Sequence, residues 1–143
     1  MVASSYARVY RANSILTAAP GQLVLLLLDG ALASMAAAKE GFERPPADLR
    51  RCEVINRHLR KAQRIIGELR HGLNFEAGGD FAPMMNRLYV YYNRRLHEAN
   101  LQKRLEPVLE VANLVGQLRD AWAEMLRRPQ AAVPVQPAPV LQE

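Results

Sequence analysis

Cysteine is almost absent from this chain, which has a single one, Cys52, among its 143 residues. One thiol cannot form an intramolecular disulfide, so the fold must be stable without one. The N-terminus also lacks the positively charged start and apolar core of a secretion signal. These absences predict a reduced protein of the cytosol.

The residues of a catalytic or metal centre are equally scarce. The three histidines, His58, His71 and His97, do not stand at metal-ligand spacing on one helix. Gly78 and Gly79 lack the Lys and Ser or Thr that follow in a phosphate-binding loop. The inward Glu-x-x-His pairs of a di-iron bundle are missing too. The sequence therefore predicts no enzymatic activity, no cofactor and no metal.

A hydrophobic run long enough to cross a membrane is also lacking. The unbroken apolar run from Leu23 to Leu28 is far shorter than the ~20 residues that a bilayer requires, and the polar Asp29 and the small Gly30 end it. Pro20 suits the first turn of a helix, and a start that is apolar all round must be covered on every side. We therefore expect a core helix from about residue 20 to Phe42 rather than a membrane span.

Three further helices are indicated by breaks and caps. The second is expected to run from the N-cap Asp48 to His71, with Gly72 as its terminator. The third should follow the N-cap Asp80, and the fourth should open near Pro107.

Apolar residues at spacings of three and four give each of these helices one buried stripe. Cys52 falls on the stripe of the second helix, which predicts a buried structural thiol. Trp122 falls on the stripe of the fourth helix, where it is expected to fill the core.

These elements predict an all-α fold, an antiparallel up-and-down four-helix bundle with a short N-terminal lid segment and a disordered Pro-rich C-terminal tail. Residues 1–128 form the bundle domain, and residues 1–16 within it form the lid. Tyr6, Val9 and Tyr10 of the lid would lie over the apolar start of the first helix, either as a structural cap or in a functional role. Residues 129–143 form the tail.

Positive charges exceed negative charges by five, which permits an acidic partner. Most of the surplus is expected on the outer face of the second helix, at Arg50, Arg51, Arg57, Arg60, Lys61, Arg64 and Arg70. This face could bind nucleic acid, but it has no interleaved aromatic residues, so a solvated charged face is the preferred interpretation.

Apolar residues in excess of the four stripes suggest a surface for an amphipathic helix of a partner. They can equally be core or a dimer contact, and periodicity alone does not choose. They lie in the lid, beside the third stripe at Tyr89 and Tyr91, and beside the fourth at Leu109 and Leu114.

An ordered series of motifs runs from residue 6 to about residue 126: Tyr6-Ala-Arg-Val9, Thr17-Ala-Ala-Pro20-Gly-Gln-Leu23-Val-Leu, Leu28-Asp29-Gly30-Ala31, Gly78-Gly79-Asp80, Leu88-Tyr89-Val-Tyr91, Asn93-Arg94-Arg95-Leu96-His-Glu98-Ala99-Asn100 and Leu118-Arg119-Asp120-Ala121-Trp122. This series resembles the flagellin export chaperones of the FliS type. Two positions depart from the family pattern, since Ala19 replaces a serine before the proline and Leu28 replaces an aromatic residue before Asp-Gly. Ala19 removes an N-cap oxygen.

The resemblance implies a cytosolic export chaperone, without enzymatic activity, that binds the disordered C-terminal segment of flagellin. It would prevent premature polymerisation and deliver flagellin to the flagellar type III export apparatus. No nucleic acid and no membrane insertion are expected, and a homodimer is left open. The residues expected to contact flagellin are Tyr6, Val9, Tyr10, Ile15, Leu16, Leu23, Leu27, Tyr89, Tyr91, Leu109 and Leu114.

The alternative function is that of a small basic helical bundle that regulates by binding nucleic acid. Raising salt from roughly 50 to 200 mM separates the two, because phosphate contacts lose orders of magnitude in affinity over that range and an apolar surface changes little.

Overall fold

The computed structural model describes residues 20–128, which contain no β-strand. The all-α prediction is confirmed, while the predicted lid and tail lie outside the described residues. The elements are α1 (Pro20–Phe42), α2 (Arg51–His71), a 3₁₀ turn (Phe75–Ala77), α3 (Phe81–Gln102) and α4 (Glu106–Arg127).

The four helices form a closed ring in which each packs against its two neighbours. Both α1 and α3 contact α2 and α4. Short connections make successive helices antiparallel, so the predicted up-and-down bundle is confirmed. The largest fully buried side chains are Leu28, Met35, Ile55, Leu59, Ile66, Tyr89, Leu96, Val108, Val111 and Val115.

Small residues on α1 allow α2 to approach closely, and this is the most extensive contact between two helices. Ala31, Ala38 and Gly41 are all buried. A Cβ atom at Gly41 would stand 3.0 Å from side-chain carbons of Val54 and Ile55, so a larger residue there would require these neighbours on α2 to shift.

The apolar start of α1 is buried on one side by residues 20–128. Val24 and Leu28 lie in the core, whereas Leu23 and Leu27 are half-buried and Leu26 is 57% exposed. The helices of residues 20–128 therefore do not cover the start of α1 on every side, because α2 and α4 flank α1 on two sides only. The lid that was predicted to complete this cover lies outside the described residues.

By length and composition, α1 is the one helix within residues 20–128 that could cross a bilayer. The core helix of a globular bundle meets the same criteria. Here α1 packs between α2 and α4, and its Asp29 forms an ion pair with Arg119 of α4.

The start of α2 lies later than the sequence predicted. Asp48 accepts a hydrogen bond from the backbone amide of Arg50 at 2.9 Å in the preceding turn, and α2 begins after it without a side-chain cap. Leu49 in that turn is 97% exposed. Cys52 is also exposed, so its prediction as a buried thiol was wrong. The first turn of α2 buries Val54 instead.

The other helix ends agree with the sequence in part. Gly72 follows the last residue of α2, and Pro107 lies in the first turn of α4, both as predicted. Asp80 occupies the N-cap position directly before α3, as predicted, although its side chain makes no cap hydrogen bond. Lys103 ends α3 in a left-handed conformation, with φ of 53°, and its amide donates to the carbonyl of Ala99.

Trp122 connects α4 to α1 through a hydrogen bond, and its predicted burial is confirmed. The indole Nε1 donates a hydrogen bond to the carbonyl oxygen of Gly21 at 2.8 Å. A Cβ atom at Gly21 would stand 2.7 Å from a side-chain carbon of Leu126. Any residue larger than glycine at this position would therefore require the Leu126 side chain to move. Further along the same pair of helices, Arg119 Nε lies 2.7 Å from Asp29 Oδ1.

Candidate partner-binding surface

An apolar stripe follows the side of α3 that faces α4. Met84, Leu88 and Tyr91 lie on it at spacings of four and three, and Arg95 comes four residues later. These spacings place side chains on one side of a helix. Tyr91 and Arg95 both contact Glu110 of α4, which identifies that side. Because Met84 and Leu88 are exposed and Tyr91 is half-buried, the stripe remains accessible.

A matching stripe on α4 follows Glu110 along the chain. Since α3 and α4 are antiparallel, residues after Glu110 lie level with residues before Tyr91. Contact between these two helices is the least extensive of the four neighbouring pairs, so both stripes keep exposed surface. We call the combined surface the α3–α4 strip. It consists of Met84, Leu88 and Tyr91 from α3 and Leu114, Leu118 and Met125 from α4.

A polar cluster closes one end of the α3–α4 strip. The Tyr91 hydroxyl donates a hydrogen bond to Glu110 Oε2. Arg95 donates from Nε to Glu110 Oε1 at 2.7 Å and from Nη1 to Glu98 Oε1 at 2.8 Å. The Arg94 guanidinium carbon stands 5.3 Å from the centre of the Tyr91 ring. We call Tyr91, Arg95, Glu98 and Glu110 the clamp, because they fix the start of α4 against α3.

The hydrogen bonds of the clamp shift the pKa values of its members in the directions that keep Glu110 ionised and Tyr91 and Arg95 protonated at neutral pH. Hydrogen bonds from Tyr91 and Arg95 lower the pKa of Glu110. The bond to Glu110, with burial, raises the pKa of Tyr91, and bonds to Glu110 and Glu98 raise the pKa of Arg95. Because the pKa of Glu110 is lowered on folding, its contribution to stability is present above the ordinary glutamate pKa. That contribution is lost as the pH falls through the lowered value.

The start of α1 provides a second apolar surface, formed by Leu23, Leu26 and Leu27. A Cβ atom at Gly30, one turn beyond them, would stand 3.4 Å from Ile65 Cδ1 of α2. This side of α1 is therefore directed towards α2 and away from the contact between α3 and α4. The two apolar surfaces lie on different sides of the bundle.

The structure separates the residues that the sequence predicted to contact a partner. Tyr91 and Leu114 lie together in the α3–α4 strip, whereas Leu23 and Leu27 lie at the start of α1. Leu109 is exposed on α4, off the side that carries the strip. The lid residues of that prediction, Tyr6, Val9, Tyr10, Ile15 and Leu16, lie outside the described residues.

Tyr89 does not lie beside the buried stripe of α3, as the sequence suggested, but within it. The residue is 2% exposed, and its ring meets that of Tyr92 edge to face at 6.3 Å between centres. Burial raises the pKa of its hydroxyl. The predicted placement was wrong because the core-facing side of α3 runs through Met85, Tyr89, Tyr92 and Leu96.

Four members of the α3–α4 strip were missed as partner-binding candidates, since the sequence assigned them to buried stripes. The sequence did contain a signal for two of these residues, because Met84, Leu88 and Tyr91 follow one another at spacings of four and three and so share one side of α3. Spacings of three and four also fit the core-facing series of α3, however. Only the positions of α2 and α4, which both pack against α3, decide which series is covered. The missed residues are Met84, Leu88, Leu118 and Met125.

The α3–α4 strip offers apolar contact with a charged cluster at one end, which suits the apolar face of an amphipathic helix. In the part of the chain that the structure describes, no three His, Cys, Asp or Glu side chains are placed to hold a metal ion.

Comparison with known proteins gives one consistent result. A family model described as "Flagellar protein FliS" matches residues 2–129. The flagellar secretion chaperone FliS of Bacillus subtilis (strain 168) is 34% identical over 118 residues, which cover 82% of this chain and 84% of that protein. FliS of Salmonella typhimurium is 32% identical over 124 residues, 85% of this chain and 87% of that protein. FliSB of Pseudomonas aeruginosa is 32% identical over 117 residues, 82% of this chain and 89% of that protein.

Proposed function

Because the chain belongs to the FliS family of flagellar secretion chaperones, we propose that it binds the C-terminal segment of flagellin in the cytosol. Binding would prevent premature polymerisation and would bring flagellin to the flagellar type III export apparatus. The chain is a flagellar export chaperone and not an enzyme.

The α3–α4 strip is the observation that supports this proposal most directly. At 1.5 Å per residue, its α3 part spans about 10 Å from Met84 to Tyr91, and its α4 part spans about 16 Å from Leu114 to Met125. That length matches two or three turns of a partner helix. An amphipathic helix laid along the strip would contact it through apolar residues spaced three, four and seven apart.

The disorder of the free flagellin segment explains how such a complex can be released. A flagellin segment that is disordered when free must become ordered on binding, which costs about 2 to 5 kcal/mol or more of the interaction energy. A large apolar contact can therefore be specific without being permanent. This suits a carrier that must give up its cargo.

A charge placed within the strip tests the proposal. We expect Leu88→Glu to weaken binding of a synthetic flagellin C-terminal peptide by at least about tenfold, which corresponds to about 1.4 kcal/mol. A matched control is Leu101→Glu, because Leu101 is 74% exposed on α3 but lies off the strip. Binding is measured by fluorescence anisotropy, and circular dichroism verifies that each variant is folded.

The α4 part of the strip provides an independent variant. Leu118→Glu on α4 should weaken binding as Leu88→Glu does. If both strip variants bind like the Leu101→Glu control, the strip is not the flagellin site. If the parent chain does not bind the peptide at all, the proposed function itself is wrong.

A further inference from the structure

Charge is divided unequally between the two halves of the bundle. The sequence of α2 holds six Arg or Lys and two Glu, and that of α3 holds three Arg and one Glu. In contrast, α1 holds one Lys against two acidic residues, and α4 holds two Arg against four acidic residues. The pair α2 and α3 is therefore strongly positive, while α1 and α4 together are negative.

The outer face of α2 carries the centre of this positive charge. Arg57, Arg60 and Arg64 lie on one side of the helix at spacings of three and four, with Lys61 beside them, and all four are exposed. Within residues 20–128, none of the four pairs with a carboxylate. Burial, together with the charges of Arg57 and Lys61, lowers the pKa of His58 between them.

Other arginines of the bundle are placed differently. Each of Arg95, Arg104, Arg119 and Arg127 lies within hydrogen-bonding distance of an Asp or Glu side chain. The charge of each of these four guanidinium groups is balanced by a carboxylate of the bundle itself. On the outer face of α2 the hydrogen-bonding groups of the arginines are directed to the surroundings.

The neighbouring face of α3 extends the positive surface. Gln63 and Asn93 hydrogen-bond to each other's backbone carbonyls at 3.3 and 3.1 Å, which places Arg64 of α2 and Arg94 of α3 at the same level. Arg87 lies two turns before Arg94 and is also exposed. We call this surface the α2–α3 basic face. It consists of Arg57, Arg60, Lys61, Arg64, Arg87 and Arg94.

We propose that the α2–α3 basic face docks an acidic segment of a second protein, separate from the proposed flagellin site. Arginine forks match carboxylates in pairs of hydrogen bonds, and the row of three arginines spans about 10 Å, or two helical turns. A partner helix with Glu or Asp at spacings of three and four would complement this row.

Three observations favour a short acidic protein segment over nucleic acid or a lipid surface. Exposed Glu53 and Glu68 stand before and after the arginine row of α2, so a long polyanion would meet repulsion at both ends. The sequence of α2 has no aromatic residue on which bases could stack. Val90, between Arg87 and Arg94, is an exposed apolar residue that a protein segment can cover.

The basic face and the α3–α4 strip lie on different sides of α3. The carboxamide contacts of Asn93 mark the side next to α2, and the clamp residue Arg95 marks the side next to α4. The two surfaces meet where the Arg94 guanidinium carbon lies 5.3 Å from the centre of the Tyr91 ring, and a partner on the arginine row of α2 leaves the rest of the strip open. The inference thus goes beyond flagellin binding, and the two can be tested separately on one protein.

The test measures the full-length chain against three anionic probes, of which the peptide and the oligonucleotide have similar net charge. These are a helical peptide of ~15 residues with glutamates spaced three and four apart and one leucine, a single-stranded oligonucleotide, and vesicles containing phosphatidylglycerol. We expect saturable binding of the peptide that is tighter than that of either other probe. Arg60→Glu combined with Arg64→Glu should weaken it by at least tenfold.

Two controls make the result decisive. Arg127→Glu changes an exposed arginine of α4 and should leave binding of the acidic peptide unchanged, and none of these variants should alter binding of the flagellin peptide. A version of the acidic peptide with lysine in place of glutamate should bind the double variant better than the parent. Tighter binding of the oligonucleotide or the vesicles would overturn the proposal. The absence of saturable binding by all three probes would show a solvated charged face.

Discussion

Trp122 shows how much one side chain contributes to the contact between α1 and α4. We predict that Trp122→Ala lowers the free energy of unfolding by about 3 to 5 kcal/mol, because it opens a large cavity and removes the hydrogen bond to Gly21. Trp122→Phe should cost less, since it keeps most of the ring. Urea denaturation measures both, with Met125→Ala as a control at an exposed position. A midpoint for Trp122→Ala equal to that of the control would contradict the prediction.

Tyr89 and Tyr91 illustrate how two identical residues close in sequence take different roles. The direction of each side chain on α3 differs by about 200° around the helix axis. Tyr89 therefore points into the core, while Tyr91 reaches Glu110 at the end of the α3–α4 strip. A substitution at Tyr89 is expected to act on stability, and one at Tyr91 on the clamp and the surface beside it.

At the scale of elements, a row of polar pairs sets the register of α2 against α3. The pairs recur every seven residues on both helices, so they repeat after two turns on the same side. Such a row fixes how far one helix can slide along the other. The pairs are Asn56 with Asn100, Gln63 with Asn93, and Arg70 with Asn86.

The geometry of the central pair, Gln63 with Asn93, predicts how substitutions change the free energy of unfolding. Gln63 and Asn93 each donate to the other's backbone carbonyl, which an alanine substitution retains. We predict that Gln63→Ala and Asn93→Ala each lower the free energy of unfolding by about 0.5 to 1.5 kcal/mol and that their effects add in the double variant. Chemical denaturation of the four proteins gives the comparison.

The outer pair provides the matched control. Asn56 and Asn100 bond side chain to side chain in an exposed position, so either alanine substitution already breaks the bond. The double variant Asn56→Ala with Asn100→Ala should be no less stable than the worse single variant. A Gln63 and Asn93 double variant that behaved in the same way would contradict the role of the backbone carbonyls.

At the scale of the whole molecule, the four helices of residues 20–128 by themselves leave the start of α1 partly uncovered. We predict that residues 6–16 interact with this surface and that a flagellin C-terminal peptide competes for it through a second contact, separate from the α3–α4 strip, so that peptide binding changes the contact of residues 6–16. Amide hydrogen exchange should then differ at residues 6–16 between free and peptide-saturated protein, while Leu88 to Leu96 of α3 stay protected. Unchanged exchange over the first sixteen residues at saturation would leave that segment as a structural cap.

The positions of the helices were determined by the sequence alone. Apolar residues at spacings of three and four, with Pro20 and Pro107 at helix starts and Gly72 after a helix end, are local features that act within a few residues. Chain length and short connections then left an antiparallel bundle as the natural arrangement. Asp48 does not cap α2, which moves the start of that helix by a few residues, while α3 begins directly after Asp80 as predicted; the fold is unchanged.

The side of each helix that is buried was decided by the tertiary structure. Two series at the same spacing fit α3, and only the positions of α2 and α4 made Tyr89 core and left Leu88 exposed. Cys52 is exposed for the same reason, since α1 packs on Val54 and not on the opposite side of the first turn of α2. Apolar surface is buried only where a neighbouring element removes it from water, and a sequence pattern does not contain the position of that neighbour.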